Sequence, residues 1–81
     1  DRLIVTDRAI LIADYKTDRA VPSRPEDVPH YVRQMALYSA LLQRAFPGRT
    51  VRAALIFTEK PSLIAIPPAL LDAEIATLTP A

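Results

Sequence analysis

An acid and a base two residues apart, Asp14 and Lys16, close the apolar run Ile10-Leu11-Ile12-Ala13-Asp14-Tyr15-Lys16-Thr17. Strand side chains alternate faces, so Ile10, Ile12, Asp14 and Lys16 share one face, with Leu11, Ala13 and Tyr15 on the other. A carboxylate finishing an apolar face is costly unless a cation or hydrogen-bond donor compensates it. The preceding run, Asp1 to Thr6, is also strand-like, and Asp7-Arg8 can turn it back. Paired residue numbers then sum to 15, which sets Val5 opposite Ile10, Leu3 opposite Ile12 and Asp1 opposite Asp14. A four-residue loop from Thr6 to Ala9 keeps this register, whereas a three-residue loop would send every side chain to the opposite face. Asp-Arg lacks the glycine of the best tight turns, so the turn type stays open.

Opposed residues on an antiparallel pair have β-carbons about 4.5–5.5 Å apart, and like charges there repel. Two opposed aspartates with a lysine one step along suit a hard divalent cation. Mg²⁺ takes oxygen ligands at about 2.0–2.1 Å, from one or two carboxylates completed by water and substrate phosphate. The lysine can then orient a water or stabilise charge on a phosphoryl oxygen. The same residues also fit an ordinary hairpin whose acids are solvated at its open end.

Composition bounds what these residues can belong to. At 81 residues, 51% hydrophobic and 23% charged, the chain makes one small globular domain and is not disordered by default. The longest apolar runs are four or five residues, so no segment spans a membrane. A net charge of +1 gives no whole-domain basic field. Nucleic-acid contact must therefore rest on local arginines: Arg19, Arg24, Arg33, Arg44, Arg49 and Arg52. The absence of cysteine excludes disulfides, thiolate zinc sites and cysteine-ligated iron–sulfur clusters within these residues, and fits a cytoplasmic setting. The start at Asp1, a candidate ligand without an initiator Met, suggests part of a longer protein.

The remaining elements must position the candidate site. Residues 18–27 hold two prolines and five charges and read as a loop flanking the hairpin end. Within it Arg19 and Arg24 either reach phosphates or stay solvated. A helix is expected from Val28 to Ala45 or Phe46, with Asp27 as N-cap, Pro29 in the first turn and Pro47-Gly48 as the stop. Its apolar stripe is Val28, Tyr31, Val32, Met35, Tyr38, Leu42 and Ala45. Gln34 falls inside that stripe, and a buried amide needs partners. It either bonds a backbone group or the Tyr38 hydroxyl within the core, or projects with Tyr38 towards the Asp14/Lys16 end of the sheet. His30, with no second imidazole in the chain, reads as a surface residue. Residues 50–58 form a nearly continuous apolar run, as in a strand covered on both faces. Glu59-Lys60-Pro61 turns the chain and residues 62–66 return as a second hairpin strand. Pro67-Pro68 then opens a short helix with Leu71, Ile75 and Leu78 on one face. The fold class is α/β, in the order β-β-α-β-β-α with a mixed sheet and no internal repeat.

Asp1, then Asp14-Tyr15-Lys16-Thr17 thirteen residues on, then Gln34-Met35-Ala36-Leu37-Tyr38, resemble the signature of the PD-(D/E)XK nucleases of the RecB group. That signature is an acid, a second acid one residue before a lysine, and a downstream Q-x-x-x-Y helix. The likeness extends over nearly the whole chain. Through Gly48 to Leu55 and Leu63 to Leu71 it is greatest to the C-terminal nuclease domains of AddA-type subunits, from bacterial helicase–nucleases of double-strand-break repair. It implies a restriction-endonuclease-like core fragment, residues 1–81 being the C-terminal part of such a domain. It also implies Mg²⁺, with Mn²⁺ able to substitute, held by Asp1, Asp14 and the Tyr15 backbone carbonyl. Lys16 would be the catalytic lysine, with Gln34, Tyr38 and Thr17 beside the DNA. Partners would be single-stranded DNA fed from an unwound duplex and an AddB-like subunit, in the bacterial cytoplasm and away from membranes. ATP would act only in the motor domain of the parent protein, since no G-x-x-x-x-G-K-[ST] loop occurs here. The family usually carries a further active-site His or Glu on a helix before the first acid, which this chain does not contain. The fragment alone is therefore expected to be weakly active or inactive. Two other readings are a non-catalytic DNA- or partner-binding module of the same fold and a phage exonuclease of the same superfamily.

Overall fold

The computed structural model describes residues 2–78 of the chain. Four strands, β1 (Arg2–Val5), β2 (Ala9–Lys16), β3 (Thr50–Phe57) and β4 (Ser62–Ala65), lie in the order β1-β2-β3-β4. The outer pairs are antiparallel and the central β2–β3 pair is parallel, which makes the sheet mixed. Two helices, α1 (Pro29–Ala45) and α2 (Pro68–Leu78), complete the order β-β-α-β-β-α.

The first hairpin has the register expected from its sequence, with Val5 opposite Ile10 and Leu3 opposite Ile12. Its turn is closed by a side chain. The Thr6 hydroxyl accepts from the Ala9 N–H and donates to the Ala9 carbonyl, both at 3.0 Å, while the Thr6 N–H donates to the same carbonyl at 2.9 Å. No non-glycine described residue has a positive φ, so the Asp7-Arg8 turn is not the type I′ that Asn-Gly or Asp-Gly would form. The threonine hydroxyl takes on the closure that such a turn leaves to the backbone.

Both helices pack on the face carrying Ile10 and Ile12. The core there joins Ile10, Ile12, Val51, Ala53, Leu55 and Phe57 of the sheet to Val32, Met35, Ala36, Ile66 and Leu71. Fully burying one such large apolar side chain contributes about 1.5–3 kcal/mol. The stripe of α1 is rotated from the expected one: Ala36 and Ser39 are buried, whereas Tyr38 and Ala45 are exposed. Small residues at 36 and 39 let the helix approach the sheet closely and carry its centreline past Tyr38. The expected Asp27 cap is also corrected. Pro25–Asp27 form a separate 3-10 turn, and Val28 takes the N-cap position with no side-chain cap bond. Asp27 instead accepts from Arg24 Nε at 3.3 Å. Pro29 does occupy the first turn, and after α1 Gly48 takes a φ of 86°, a left-handed conformation that suits glycine.

β3 is covered by helices on one face only among the described residues, not on both. On its other face Arg52 is exposed and Ile56 half-buried. Ala54 is nonetheless buried beside its ladder partner Ala13, whereas its other partner, Ala65 on β4, is exposed. In α2, Leu71 is buried and Ile75 packs against the core, but Leu78 is exposed rather than part of the expected apolar face. No helix among the described residues is long and apolar enough to cross a membrane.

Candidate nuclease site

The end of β2 is fixed from β3. The Lys16 carbonyl accepts the Thr58 N–H at 3.0 Å and the Thr58 hydroxyl at 3.3 Å. On the helix-covered face, Asp14 follows Ile12 and is 3% exposed, which makes it a carboxylate inside an apolar layer. Lys16 Nζ lies 2.7 Å from Asp14 Oδ2. At that distance the ammonium compensates a buried oxygen that has no other partner among the described residues, although its angle falls outside ordinary hydrogen-bond geometry. The same ammonium donates to Gln34 Oε1 at 3.1 Å. Gln34 therefore takes up the second of its two expected orientations, towards the Asp14/Lys16 end of the sheet.

Two residues that the sequence motif did not single out close the lysine's surroundings. Lys16 Nζ sits 4.1 Å from the centroid of the Tyr31 ring, a cation–π contact that contributes about 0.5–2 kcal/mol depending on desolvation. The Tyr31 hydroxyl donates to Asp18, whose oxygens lie 2.9 and 2.7 Å away. That hydrogen bond pushes the Tyr31 pKa up, with burial and the negative charges of Asp18 and Asp14 adding to the effect. The signal was present in the spacing, since Tyr31 is one turn before Gln34 and shares its helix face. Its place in the apolar stripe gives no partner for its hydroxyl, and Asp18 lies in a segment whose sequence reads as a loop.

The other candidates lie around this cluster. Tyr38, one turn beyond Gln34, lines an open apolar cavity of about 300 Å³ with Arg2, Leu3, Ile12, Leu41 and Leu42. It thus sits farther back along β2 than Gln34 does. Thr17 is exposed just after β2, and the Tyr15 side chain points to the uncovered face. The β1–β2 ladder stops at Arg2 and Ala13 among the described residues, which leaves the Tyr15 backbone beyond it. Asp1, expected opposite Asp14, lies outside the described residues. Arg19 and Arg24 are exposed on the connector. His30 is exposed and tilts against the Tyr31 ring at 4.1 Å.

A buried acid ion-paired to a lysine two residues on, at the carboxyl end of a central strand, matches a known pattern. A family model described as the PD-(D/E)XK nuclease superfamily matches residues 1–79. The chain belongs to the PD-(D/E)XK nuclease superfamily. Its mixed four-stranded sheet with two helices fits the restriction-endonuclease-like fold of that superfamily. No curated protein and no solved structure matches the chain.

Nucleases of this superfamily usually use divalent metals. Among the described residues no three His, Cys, Asp or Glu side chains converge on one point. What is present nevertheless fits a hard cation. Asp14 offers a buried anionic oxygen whose close partner among the described residues is the Lys16 ammonium, and any further oxygens would come from the Tyr15 carbonyl and from Asp1.

Proposed function

We propose that this chain is the core of a metal-dependent deoxyribonuclease domain from an AddA-type helicase–nuclease, hydrolysing phosphodiester bonds in single strands delivered by the motor. Superfamily membership supports nuclease chemistry. The single observation that carries the reading further is the buried Asp14 carboxylate at the carboxyl end of β2, whose Oδ2 has the Lys16 ammonium at 2.7 Å and no other partner among the described residues. A structural acid in an apolar layer is normally saturated by donors, whereas a ligand keeps a lone pair free.

In this reading Asp14, Asp1 and the Tyr15 carbonyl hold Mg²⁺ or Mn²⁺. The cation, when bound, polarises the phosphate and lowers the pKa of a bound water. Lys16 directs its ammonium to the attacking water or to a phosphoryl oxygen, where charge grows in the transition state. Gln34 accepts one of its three N–H bonds and so limits the directions left to the other two. Thr17 and Tyr38 border the path of the strand. Double-strand-break repair, an AddB-like partner and the bacterial cytoplasm follow from the AddA-type assignment and stand or fall with it.

Calorimetric titration of Mn²⁺ into the wild type and Asp14→Ala tests the metal site. Binding heat lost in the variant is expected, and identical heats would favour a non-catalytic binding module. In the parent helicase–nuclease, Lys16→Ala should abolish cleavage of single strands while leaving ATP-driven unwinding intact.

A further inference from the structure

Lysine is a poor device for precise placement, because its charge rides on a flexible four-carbon stem. Among the described residues the Lys16 ammonium has one well-aligned hydrogen bond, to Gln34 Oε1, while its 2.7 Å approach to Asp14 lies outside ordinary hydrogen-bond geometry. The Tyr31 ring closes another side at 4.1 Å. A ring on a helix could rotate about its own side-chain bonds, but the Tyr31 hydroxyl is tied to both oxygens of Asp18. Asp18 itself follows Lys16 by two residues, so it is carried by the strand end that Thr58 fixes. The arrangement closes a loop from β2 through Lys16, Tyr31 and Asp18 back to the chain just after β2. Donation from the phenol to a carboxylate also enriches the ring in electron density and strengthens its hold on a cation.

We propose that Asp18 and Tyr31 form a positioning pair for Lys16, in which Asp18 anchors the Tyr31 hydroxyl and the anchored ring holds the ammonium against Asp14 and Gln34. The consequence for catalysis rests on the nuclease reading above, whereas the positioning does not. The raised pKa of Tyr31 is in keeping with it, because the phenol stays protonated and able to donate.

The chain has two lysines, Lys16 and Lys60, which makes the lysine ε-methylene NMR signals a direct readout with an internal control. In the full chain the Lys16 signal is expected upfield of Lys60, shifted by the face of the Tyr31 ring. Asp18→Ala and Tyr31→Leu should bring it to the Lys60 position. Asp18→Asn, which keeps an acceptor oxygen, should retain the shift and shows that the fold survives a change at this site. In Mn²⁺-dependent cleavage of single-stranded DNA by the parent helicase–nuclease, Asp18→Ala should lower kcat by up to about 100-fold with KM unchanged, the scale of a misplaced catalytic group. A Lys16 signal that stays put in Asp18→Ala would overturn the positioning pair. A signal that moves while kcat holds would overturn its part in catalysis. If the signal moves as expected but cleavage is indifferent to Lys16→Ala, the pair stands and the nuclease reading falls.

Discussion

Replacing Lys16 by Met keeps the aliphatic stem and removes the charge, leaving Asp14 as an uncompensated anion in an apolar layer. The Asp14 side chain is 4% exposed and that of Lys16 is 15% exposed, so the acid cannot reach water but the lysine can. Breaking a buried pair by removing one partner costs about 3–5 kcal/mol, and the partial exposure of Lys16 argues for the lower end, about 3 kcal/mol. A domain of this length has a stability of roughly 4–12 kcal/mol, and its melting temperature moves about 4–8 °C per kcal/mol. Lys16→Met should therefore melt about 12–24 °C below the wild type. The converse change, Asp14→Asn, leaves a lysine that can still turn to solvent and still donates to Gln34, and should cost about 1 kcal/mol. In the double variant no charge is stranded, so most of the Lys16→Met loss should be recovered. Urea titrations followed by far-ultraviolet circular dichroism would measure all three, since the chain has no tryptophan to report by fluorescence. Saturating Mn²⁺ should raise the melting temperature of Lys16→Met more than that of the wild type, because the cation supplies the missing positive charge. The reasoning is refuted if Lys16→Met is as stable as the wild type, or if Asp14→Asn costs as much as Lys16→Met.

Three further outcomes are expected. The Tyr31 phenol should titrate above the usual tyrosine value, as followed by its ring carbon resonances. Its protonated form is the one favoured by folding, so its contribution is complete below the unfolded tyrosine pKa and is lost as pH rises through the folded one. Tyr31→Phe should accordingly flatten the alkaline side of the stability profile. Gly48→Ala meets no atom within 4 Å of the added β-carbon, so its effect isolates the strain of a φ of 86°, about 1–2 kcal/mol by thermal melting.

The sheet was legible because its signals are digital. A hairpin register is either right or displaced by a whole face, and the pairing of Val5 with Ile10 had only one odd-length loop to compete with it. Helix phase is graded by contrast. Ala36 and Ser39 carry little hydrophobic signal, yet they lie at the centre of the packed face, and Tyr38 was drawn into the stripe only by its size. Asp27 had the chemistry of a cap, but Pro25 started a separate turn that consumed it. The apolar run of β3 implied a second covering layer, whereas on that face only small Ala54, beside Ala13 of β2, is buried, and Arg52 is exposed. At the candidate site, spacing placed Asp14 and Lys16 on one face but left Gln34 between two orientations. Spacing likewise put Tyr31 on the helix face of Gln34 but could not reveal its pairing with Asp18, which depends on where the connector after β2 passes relative to α1, and that loop carries no periodicity to read.

The parallel ladder between β2 and β3 runs from Ala9–Thr50 to Lys16–Phe57, joining residues 41 positions apart in the chain. Contacts of such sequence separation form slowly, since their loop-closure entropy is lost before their packing is gained. The β1–β2 hairpin, by comparison, closes over a few residues and can form early. An aspartate and a lysine carried on that hairpin face water until α1 and β3 arrive to enclose them. The acid and base therefore acquire their shared environment only when α1 and β3 have docked, so a chain synthesised from its N-terminus cannot enclose the Asp14–Lys16 pair before residue 57 has emerged.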